Sequence, residues 1–365
     1  MFKFASKSKL GIDIGTASIK IVELSKSAGR YKLENYGLFE LESVEASVGG
    51  SDEIVEAHPP KLLEEDLAWG IKETMKRCKI TARDVVASIP SFNTFSTIIT
   101  MPYLSEQDIA KTIPYEARKY IPIPLSEVIM DWTIINVAPP NQNQILPNKQ
   151  SEAKSPIVEV FIAAVPKEET ARYQKIMSNA GVNLRALELE NSALIRALVG
   201  NDLSPIAIIN IGGRSTSILI VDNGYERISH NYEVGGFEIT KAIARSLNIS
   251  LKRAEELKRS MGLKNANTDM ITSAMSSLVD LIAFETRKTI HNYEDLKKTQ
   301  IAKVLLVGGL ANMPMFMEYF ADKLGMAVSA GNPLARIIYP PPLDAIKDEL
   351  NSTFTIALGL GMREI

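Results

Sequence analysis

The sequence predicts an α/β protein with a duplicated fold of two lobes and an α+β subdomain inserted into the first lobe. One observation is an internal repeat. Residues 12–20 align with residues 209–218 when one inserted residue is allowed, and each segment has the pattern strand, glycine-bearing polar turn, strand. Such self-similarity indicates a duplicated architecture. The other observation is that short strands and helices alternate over residues 91–184, which indicates a separate subdomain.

The composition is that of an ordinary globular protein. The 365 residues, 45% hydrophobic and 23% charged, are enough for two domains or one large split domain. A net charge of −2 without a concentrated basic patch gives no reason to expect a nucleic-acid partner. The single cysteine, Cys78, excludes an intrachain disulfide and fits a reducing compartment, and the three scattered histidines do not predict a zinc site. No apolar run approaches the roughly 20 residues of a membrane-spanning helix.

The first hairpin carries the candidate phosphate-binding chemistry. The alternation over residues 10–14 predicts a buried strand that contains one carboxylate, Asp13. A second strand follows a small polar turn and contains Lys20. The turn consists of Gly15, Thr16, Ala17 and Ser18. Because these side chains are small, backbone N–H groups and two hydroxyls can approach a phosphate, and Asp13 could hold Mg²⁺ through water. The alternative is a plain hairpin with an exposed aspartate.

The second half of the chain begins with the same pattern. Residues 206–211 predict a buried strand, and Asn210 occupies the place that Asp13 has in the first hairpin. The polar segment that follows consists of Gly212, Gly213, Arg214, Ser215 and Thr216. Two facing hairpins of this kind could hold a polyphosphate from both sides of a cleft.

The other elements of the first half follow from periodicity and turn residues. Strands are predicted over residues 30–41, 84–90, 95–101, 128–137 and 157–165. Helices are predicted over residues 61–79, 105–120 and 167–180. Pro114 lies inside the second of these helices and predicts a kink or a restart there. Irregular connections are predicted over residues 43–60 and 139–156, which are rich in turn-forming residues.

In the second half, helical spacing dominates after the hairpin. Helices are predicted over residues 191–198, 240–247, 251–261, 270–296 and 313–324. A buried strand begins at Lys303 and ends at Gly308 and Gly309. Residues 352–361 are rich in small side chains, which predicts a helix that packs closely on another helix.

Five segments, taken in order, resemble the actin-like ATPase superfamily, which contains actin, the sugar kinases and the 70-kDa heat-shock proteins. The matching segments are the phosphate loops at 13–18 and 210–216, the connecting segments at 190–198 and 357–361, and the adenosine loop at 307–312. The resemblance covers the whole chain and implies an actin-like (RNase H-like) duplicated fold.

Within that superfamily the chain resembles the PilM family of type IV pilus assembly, which is related to the cell-division protein FtsA. Residues 10–20, 113–124, 284–288 and 357–360 carry this resemblance, and residues 113–124 are its most specific part. It implies an inserted subdomain of the 1C type. The implied subdomains are 1A over residues 1–90, 185–204 and 340–365, 1C over 91–184, 2A over 205–235 and 300–339, and 2B over 236–299.

The resemblance also implies roles for residues of the predicted cleft. Asp13 would hold hydrated Mg²⁺, and Glu190 would orient the attacking water or the metal, so these two are the candidate catalytic residues. Glu255 and Lys258, three residues apart on one helix face, match a pair that contacts ribose and adenine. Besides the two turns, the implied ATP-binding residues are Lys20, Asn210, Gly235, Gly236, Glu255, Lys258, Arg259, Gly308, Gly309 and Asn312.

Two residues depart from the pattern of most relatives. Asn210 stands where the second loop usually has an aspartate. A neutral amide still hydrogen-bonds a coordinated water but lacks the charge, so weaker Mg²⁺ affinity and slower hydrolysis are expected. Arg214 in the same loop either neutralises phosphate or faces solvent. We therefore predict that ATP binding survives and that the protein is at most a slow ATPase.

The resemblance implies a cytoplasmic scaffold, peripheral to the inner membrane, whose nucleotide state tunes pilus assembly. A groove between subdomain 1A and the insertion would take the cytoplasmic N-terminal peptide of PilN, an inner-membrane protein, with Ala117, Tyr120 and Ile121 as its candidate wall. Contact with the pilus motor ATPase and self-association are left open. Because the chain stops at Ile365 without an amphipathic helix, no direct membrane insertion is expected.

Two alternatives remain open from the sequence. One is a cytoskeletal or cell-division filament protein like FtsA, a relative that ends in a membrane helix. The other is a small-molecule kinase of the same fold. A kinase would need a catalytic aspartate beside an enclosed acceptor pocket, and no stretch of the sequence obviously supplies them.

Overall fold

The structure is a computed structural model, and it describes residues 8–41, 63–138, 156–263 and 270–364. The predicted connector over 43–60 and residues 139–155 of the second predicted connection lie outside the described residues. The chain divides into two compact units, which we call the main unit (Met1–Pro90 with Tyr173–Ile365) and the inserted unit (Ser91–Arg172). The inserted unit is shorter than the predicted insertion 91–184, because residues 183–189 form a strand that pairs within a sheet of the main unit.

The described residues contain fourteen strands and ten α-helices. The strands are β1 (Lys9–Ile14), β2 (Ser18–Ser27), β3 (Arg30–Glu40), β4 (Asp84–Ile89), β5 (Phe95–Pro102), β6 (Val128–Ala138), β7 (Ile157–Pro166), β8 (Asn183–Leu189), β9 (Ile206–Ile211), β10 (Thr216–Asp222), β11 (Tyr225–Tyr232), β12 (Lys303–Val307), β13 (Val328–Ala330) and β14 (Ile337–Ile338). The helices are α1 (Glu64–Arg77), α2 (Glu106–Ala117), α3 (Lys167–Ala180), α4 (Glu190–Leu198), α5 (Gly236–Leu247), α6 (Leu251–Met261), α7 (Met270–Lys297), α8 (Phe316–Leu324), α9 (Lys347–Thr353) and α10 (Thr355–Gly361).

Apart from β14, an additional edge strand parallel to β3 in the first sheet, the sheets of the two halves of the main unit have the same strand order and the same strand directions. The first sheet has the order β14-β3-β2-β1-β4-β8 and the second has the order β11-β10-β9-β12-β13. In each sheet, three antiparallel strands are followed by two strands parallel to the first of them, β4 and β8 in one case and β12 and β13 in the other. The duplicated fold predicted from the sequence repeat is confirmed.

The repeat needs no inserted residue. Ile14 pairs with Ile19 across the first hairpin, and Ile211 pairs with Thr216 across the second. Residues 15–18, which we call the first tip, and residues 212–215, the second tip, therefore have the same length. The insertion allowed in the sequence alignment was wrong, because Thr216 is the first residue of a strand.

Helices α4 and α10 lie between the two sheets. Leu194 of α4 and Leu360 of α10 share one buried cluster with Val86 of the first sheet and Leu219 of the second. The close packing expected of the small-residue segment is present. A Cβ atom on Gly359 of α10 would lie only 2.1 Å from the carbonyl oxygen of Ala193 in α4, so a larger residue does not fit there.

The outer faces of both sheets are covered as well. Ile239 of α5, Met275 of α7 and Phe316 of α8 are buried in one cluster with Ile220 of the second sheet. On the first sheet, Gly70 lets α1 approach β2 and β3, since a Cβ there would lie within 3.1 Å of side-chain carbons on both strands. Both hairpins are thus held by packing on two faces, which fixes the positions of their tips.

The inserted unit is an antiparallel sheet of order β5-β7-β6 packed on α2. Helix α2 runs without interruption through Pro114, so a restart at that residue is wrong. Proline removes one backbone hydrogen bond and crowds the preceding turn. Ile113 and Ala117 on the same helix are fully buried in the core of the unit, and their burial offsets that cost.

A few further elements differ from the prediction. Helix α5 begins at Gly236 instead of residue 240, and the segment 352–361 contains the end of α9 and the whole of α10, separated at Phe354. Strand β11 and the short strands β13 and β14 were not predicted. Within the described part of the chain, no helix is both long enough and apolar enough to cross a membrane.

Candidate functional site

Asp13 lies near the end of β1 and is almost fully buried, with 3% of its surface exposed. Its Oδ1 accepts a hydrogen bond from Ser88 Oγ at 3.0 Å, because β4 runs parallel beside β1. Its Oδ2 lies 3.5 Å from Lys20 Nζ, because Lys20 is its cross-strand partner in the hairpin. The carboxylate is therefore fixed by a hydroxyl and a cation, and the alternative of an exposed aspartate is wrong.

The first glycine of each tip uses its N–H to close the turn. Gly15 N–H donates to the Ser18 carbonyl at 3.0 Å, and Gly212 N–H donates to the Ser215 carbonyl at 2.9 Å. Both donors are engaged within the fold, and the binding of phosphate by the two turns stays a prediction. The identical bond in both tips is a second sign of the duplication.

Thr216 also differs from its predicted role. It is fully buried as the first residue of β10, and its hydroxyl donates to the carbonyl oxygen of Val234 at 2.7 Å. A hydroxyl has one proton to donate, so in this arrangement Thr216 holds the segment before α5 in place instead of contacting a ligand.

The two tips face each other and meet. A Cβ atom on Gly213 would lie 2.7 Å from Ala17 Cβ and 3.4 Å from Thr16 Oγ1. Any side chain at position 213 would therefore force the tips apart. The arrangement brings backbone from both repeats to one place, as the two-hairpin hypothesis requires.

The start of α5 is docked on the second tip. A Cβ on Gly235 would lie 2.8 Å from the backbone of the tip, and the N–H groups of Gly236 and Phe237 donate to the carbonyls of Gly212 and Gly213 at 3.0 and 2.7 Å. Gly235 thus permits contact, and the first donors of the helix are satisfied by the tip. The approach of Gly236 to the phosphates, which the resemblance implies, stays a prediction.

Arg214 and Lys241 both lie over the ring of Phe237. The Arg214 guanidinium carbon is 4.5 Å from the ring centroid, and Lys241 Nζ is 4.7 Å from it. The sequence analysis did not single out Phe237 or Lys241. The signal that could have found them is an aromatic residue directly after Gly235-Gly236 followed by a cation one helical turn later.

Lys258 is a structural cation in this fold. Its Nζ donates to the Gly236 carbonyl at 2.9 Å and to Thr240 Oγ1 at 2.8 Å, and it lies 2.5 Å from a carboxylate oxygen of Glu255. A lysine has three donors, and these three partners use all of them. Lys258 therefore ties α6 to the start of α5, and its contact with adenine or ribose stays a prediction.

Glu255 is held by several donors at once. Thr240 Oγ1 donates to it at 2.5 Å and Arg259 Nε donates at 2.8 Å. Burial opposes the ionisation of Glu255, but the cations and hydrogen bonds around it prevail and hold its pKa below the ordinary value. Burial lowers the pKa of the Lys258 ammonium, although Glu255 opposes that effect. Arg259 also reaches Glu40 of the first half at 3.5 Å, through an exposed ion pair.

The predicted adenosine segment follows β12. Gly308 has φ +96°, and a Cβ there would lie 2.1 Å from the carbonyl oxygen of Ile211, so only glycine fits beneath the end of β9. The N–H of Gly308 donates to the Ser352 carbonyl at 3.0 Å, and Asn312 Nδ2 donates to Ser352 Oγ. The segment is tied to α9, and its exposed residues are Asn312 and Gly309, the latter bordering open space.

Two further predicted site residues, Glu190 and Asn210, lie at the start of α4 and near the end of β9. Glu190 is the first residue of α4 and is half-buried. Asn210 is half-buried near the end of β9, where it pairs with Ser217 as Asp13 pairs with Lys20. The structure assigns no catalytic contact to Glu190, so its role stays a prediction.

The predicted peptide-binding residues divide into two kinds. Ala117 and Ile121 are buried in the core of the inserted unit, at 0% and 7% exposure, so they cannot form the wall of a surface groove. Tyr120 is 53% exposed, and Tyr115, which was not singled out, is 69% exposed. The spacing of Ala117 and Ile121 marks the core face of this segment, and the two tyrosines mark its accessible face.

The glycines of this region allow close contact between protein segments. The place that a Cβ would take is filled by Ala17 in the case of Gly213, and by the backbone of the second tip in the case of Gly235. Among the described residues, no three His, Cys, Asp or Glu side chains converge to hold a metal ion. The role of Asp13 in holding hydrated Mg²⁺ stays a prediction.

A cavity of about 370 Å³ opens elsewhere in the main unit. It is lined by residues that include Arg83, Asp84, Asn183 and Arg185, at the starts of β4 and β8. Asp13 lies at the opposite end of these parallel strands, so the cavity is not the predicted nucleotide site.

The duplicated sheets, the helices between them and the facing tips define an actin-like protein. A solved PilM–PilN type IV pilus biogenesis complex contains a similar chain, with a TM-score of 0.78 and 22% identity over 97% of this chain and 98% of that one. EutJ from Carboxydothermus hydrogenoformans gives a TM-score of 0.56 at 16% identity, over 97% and 89% of the two chains. At these identities the likenesses show the fold. Residues 11–365 match the family model of the type IV pilus assembly protein PilM, and the chain belongs to that family.

The chain is also similar to the cell-division protein FtsA. It is 24% identical to FtsA of Bacillus subtilis (strain 168) over 240 residues, which cover 60% of this chain and 54% of that protein. It is 23% identical to FtsA of Neisseria meningitidis serogroup B over 294 residues, which cover 70% and 66%. The chain thus spans less than two thirds of the length of either relative.

Proposed function

We propose that this chain is an ATP-binding component of type IV pilus assembly whose nucleotide state tunes its binding of a PilN-type membrane partner. The observation that carries the proposal is the contact between the two glycine-bearing tips at Gly213 and Ala17, in a chain of the PilM family. Two comparisons support it. A solved chain of this fold is in a complex with PilN, and MreB5 of Spiroplasma citri, with a TM-score of 0.50, is bound to ADP.

In this proposal the phosphates of ATP contact both tips. The contact between the tips lies at Gly213, Thr16 and Ala17, and Asp13 would hold the hydrated Mg²⁺ through water. Slow hydrolysis is expected, because Asn210 leaves Asp13 as the one carboxylate of the paired positions. A protein of this kind acts as a nucleotide-loaded scaffold more than as a motor.

The nucleotide part is tested by titrating the purified protein with Mg-ATP and then following phosphate release over hours. We expect binding with negligible turnover, and a loss of affinity of about tenfold or more in Asp13→Ala, because the removed carboxylate organises both Lys20 and the metal water. Asp66→Ala, at an exposed position in α1, is the matched control. Absence of wild-type binding would overturn the proposal, and rapid turnover would replace the scaffold by an enzyme or motor.

The partner part concerns the accessible aromatic face of the inserted unit. Tyr120 and Tyr115 are exposed there, and the Arg118 guanidinium carbon lies 5.7 Å from the Tyr115 ring centroid. Aromatic and basic side chains of this kind recognise extended peptides through stacking and polar contacts. Attachment at the cytoplasmic face of the inner membrane would then come through the partner.

Calorimetry with the cytoplasmic N-terminal peptide of PilN tests this part. Tyr120→Ser should weaken peptide binding by about tenfold, because it removes the aromatic ring that the bound peptide would cover. Tyr225→Ser removes a tyrosine of β11 in the main unit that is 39% exposed, and it should leave peptide affinity unchanged. Equal effects of the two substitutions would show that the aromatic face is not the peptide site.

A further inference from the structure

The two tips differ in where they carry charge. In the first hairpin, Asp13 pairs with Lys20 and the tip contains Ala17. In the second hairpin, the equivalent of Asp13 is the neutral Asn210, and the equivalent of Ala17 is Arg214. The second hairpin thus has the neutral pair Asn210 and Ser217 in place of Asp13 and Lys20, and its tip carries a cation, Arg214, where the first tip has none.

The position of Arg214 is determined by the start of α5. The Phe237 N–H donates to the carbonyl of Gly213 at 2.7 Å, which places the Phe237 ring beside the tip. Gly235 packs on the backbone of the same tip, so the tip and the start of α5 are in direct contact. The Arg214 guanidinium then lies 4.5 Å from the ring centroid, at a distance typical of cation–π attraction.

Lys241 adds a second cation to the same ring. It lies one turn further along α5, with Nζ 4.7 Å from the Phe237 centroid and 3.1 Å from Glu238. Two cations near one aromatic ring repel each other; the Glu238 carboxylate offsets part of that repulsion, and a further anion close to both cations would offset more.

We infer that Arg214 and Lys241, positioned by Phe237, form a cationic clamp on the nucleotide phosphates that replaces part of the charge neutralisation otherwise supplied by the divalent cation. The inference rests on the proposed nucleotide function and deepens it. Its consequence is that this chain holds ATP with little dependence on Mg²⁺. A carboxylate at position 210 would favour the metal, whereas an arginine on the tip favours the phosphate directly.

The test compares ATP affinity by calorimetry in excess Mg²⁺ and in EDTA, and the readout is the ratio of the two dissociation constants. In the wild type this ratio should be below about tenfold. Arg214→Gln and Lys241→Gln should each raise the ratio by about tenfold, because each removes a charge-assisted phosphate contact that matters most when the metal is absent. Phe237→Leu keeps both cations but removes the ring that positions them, so it should raise the ratio by less than either of the other two substitutions.

Arg245→Gln is the matched control, since it removes an exposed cation from the last turn of the same helix, and it should leave the ratio at the wild-type value. Thermal unfolding of each variant establishes that it is folded. If Arg214→Gln is unstable, Lys241→Gln by itself still tests the clamp. If the wild type binds ATP with Mg²⁺ but the ratio is large, or if neither clamp variant changes it, the clamp is overturned and the nucleotide site stands. If the wild type binds ATP in neither condition, the proposed function fails as well.

Discussion

At the scale of single residues, equivalent positions of the two hairpins meet different neighbours. Asp13 accepts a hydrogen bond from Ser88 and lies opposite Lys20, whereas Asn210 lies beside Val307 of β12. The first position can therefore hold a charge in a buried place, because a donor and a cation compensate it. The second position offers an amide without charge, which attracts a hydrated divalent cation less strongly.

Restoring the charge at the second position should speed hydrolysis. Asn210→Asp is expected to raise the rate of phosphate release at saturating Mg-ATP by about tenfold, equivalent to about 1.4 kcal/mol of transition-state stabilisation, because a second carboxylate helps to hold the metal and its water. Asn292→Asp, on the exposed side of α7, is the control. An unchanged rate in Asn210→Asp would show that position 210 does not limit turnover.

Glu255 should make stability depend on pH. Its folded-state pKa lies below the ordinary value of 4.5, so its contribution is present above that pH and is lost as the pH falls through the folded-state pKa. Glu255→Gln should therefore reduce the free energy of unfolding by about 1 kcal/mol at pH 7, and the difference from wild type should shrink toward pH 3.5. Denaturant unfolding at several pH values measures this effect, with Glu256→Gln on the exposed side of the same helix as control. A difference that does not vary with pH would contradict the assignment.

At the scale of elements, the site depends on glycines that let backbones approach. Gly308 passes under the end of β9, Gly235 lies against the second tip, and Gly359 lets α10 touch α4. Each places two elements closer together than any side chain permits. The proposed nucleotide site is therefore part of the packing of the main unit, and the tips are not independent loops.

Neighbouring glycines of the adenosine segment provide a matched pair of substitutions. Gly308→Ala should lower the free energy of unfolding by about 2–4 kcal/mol, because its φ of +96° is strained for alanine and its Cβ would lie 2.1 Å from the Ile211 carbonyl oxygen. Gly309→Ala adds the same methyl group into open space and should change stability by less than about 0.5 kcal/mol. Thermal or denaturant unfolding measures both, and equal losses would contradict the packing argument.

At the scale of the whole molecule, the two proposed activities belong to different compact units. The residues proposed for ATP lie in the main unit, and Tyr115 and Tyr120 lie in the inserted unit. If nucleotide state tunes partner binding, a free energy of coupling must join the two sites, and linkage requires it to be the same in both directions.

That reciprocity can be measured. ATP should change the affinity for the PilN peptide by about fivefold or more, and the peptide should change the affinity for ATP by the same factor. Calorimetric titrations of each ligand with and without the other give both numbers. Tyr120→Ser should weaken peptide binding. It should leave the affinity for ATP, measured without the peptide, unchanged. If the peptide affinity is equal with and without ATP, nucleotide state does not tune the binding of this partner.

The sequence by itself determined the duplicated α/β fold, most elements and the family. Strand and helix periods depend on neighbours a few residues away, and the repeat of strand, polar turn and strand appears directly in the residues. The same local information located both tips and the small-residue helix. It also marked residues 113–124 as a distinctive segment, although it could not separate the buried Ala117 and Ile121 from the exposed Tyr115 and Tyr120.

Only the tertiary structure decided which polar groups are available to a ligand. Thr216 donates to Val234, and Lys258 is surrounded by Gly236, Thr240 and Glu255, so the residues predicted to bind nucleotide are partly engaged in holding the site together. It also showed that Arg214 and Lys241 lie over the Phe237 ring beside the second tip. A buried donor or charge must find a partner, and in a folded chain that partner comes from a distant element that local sequence patterns do not identify.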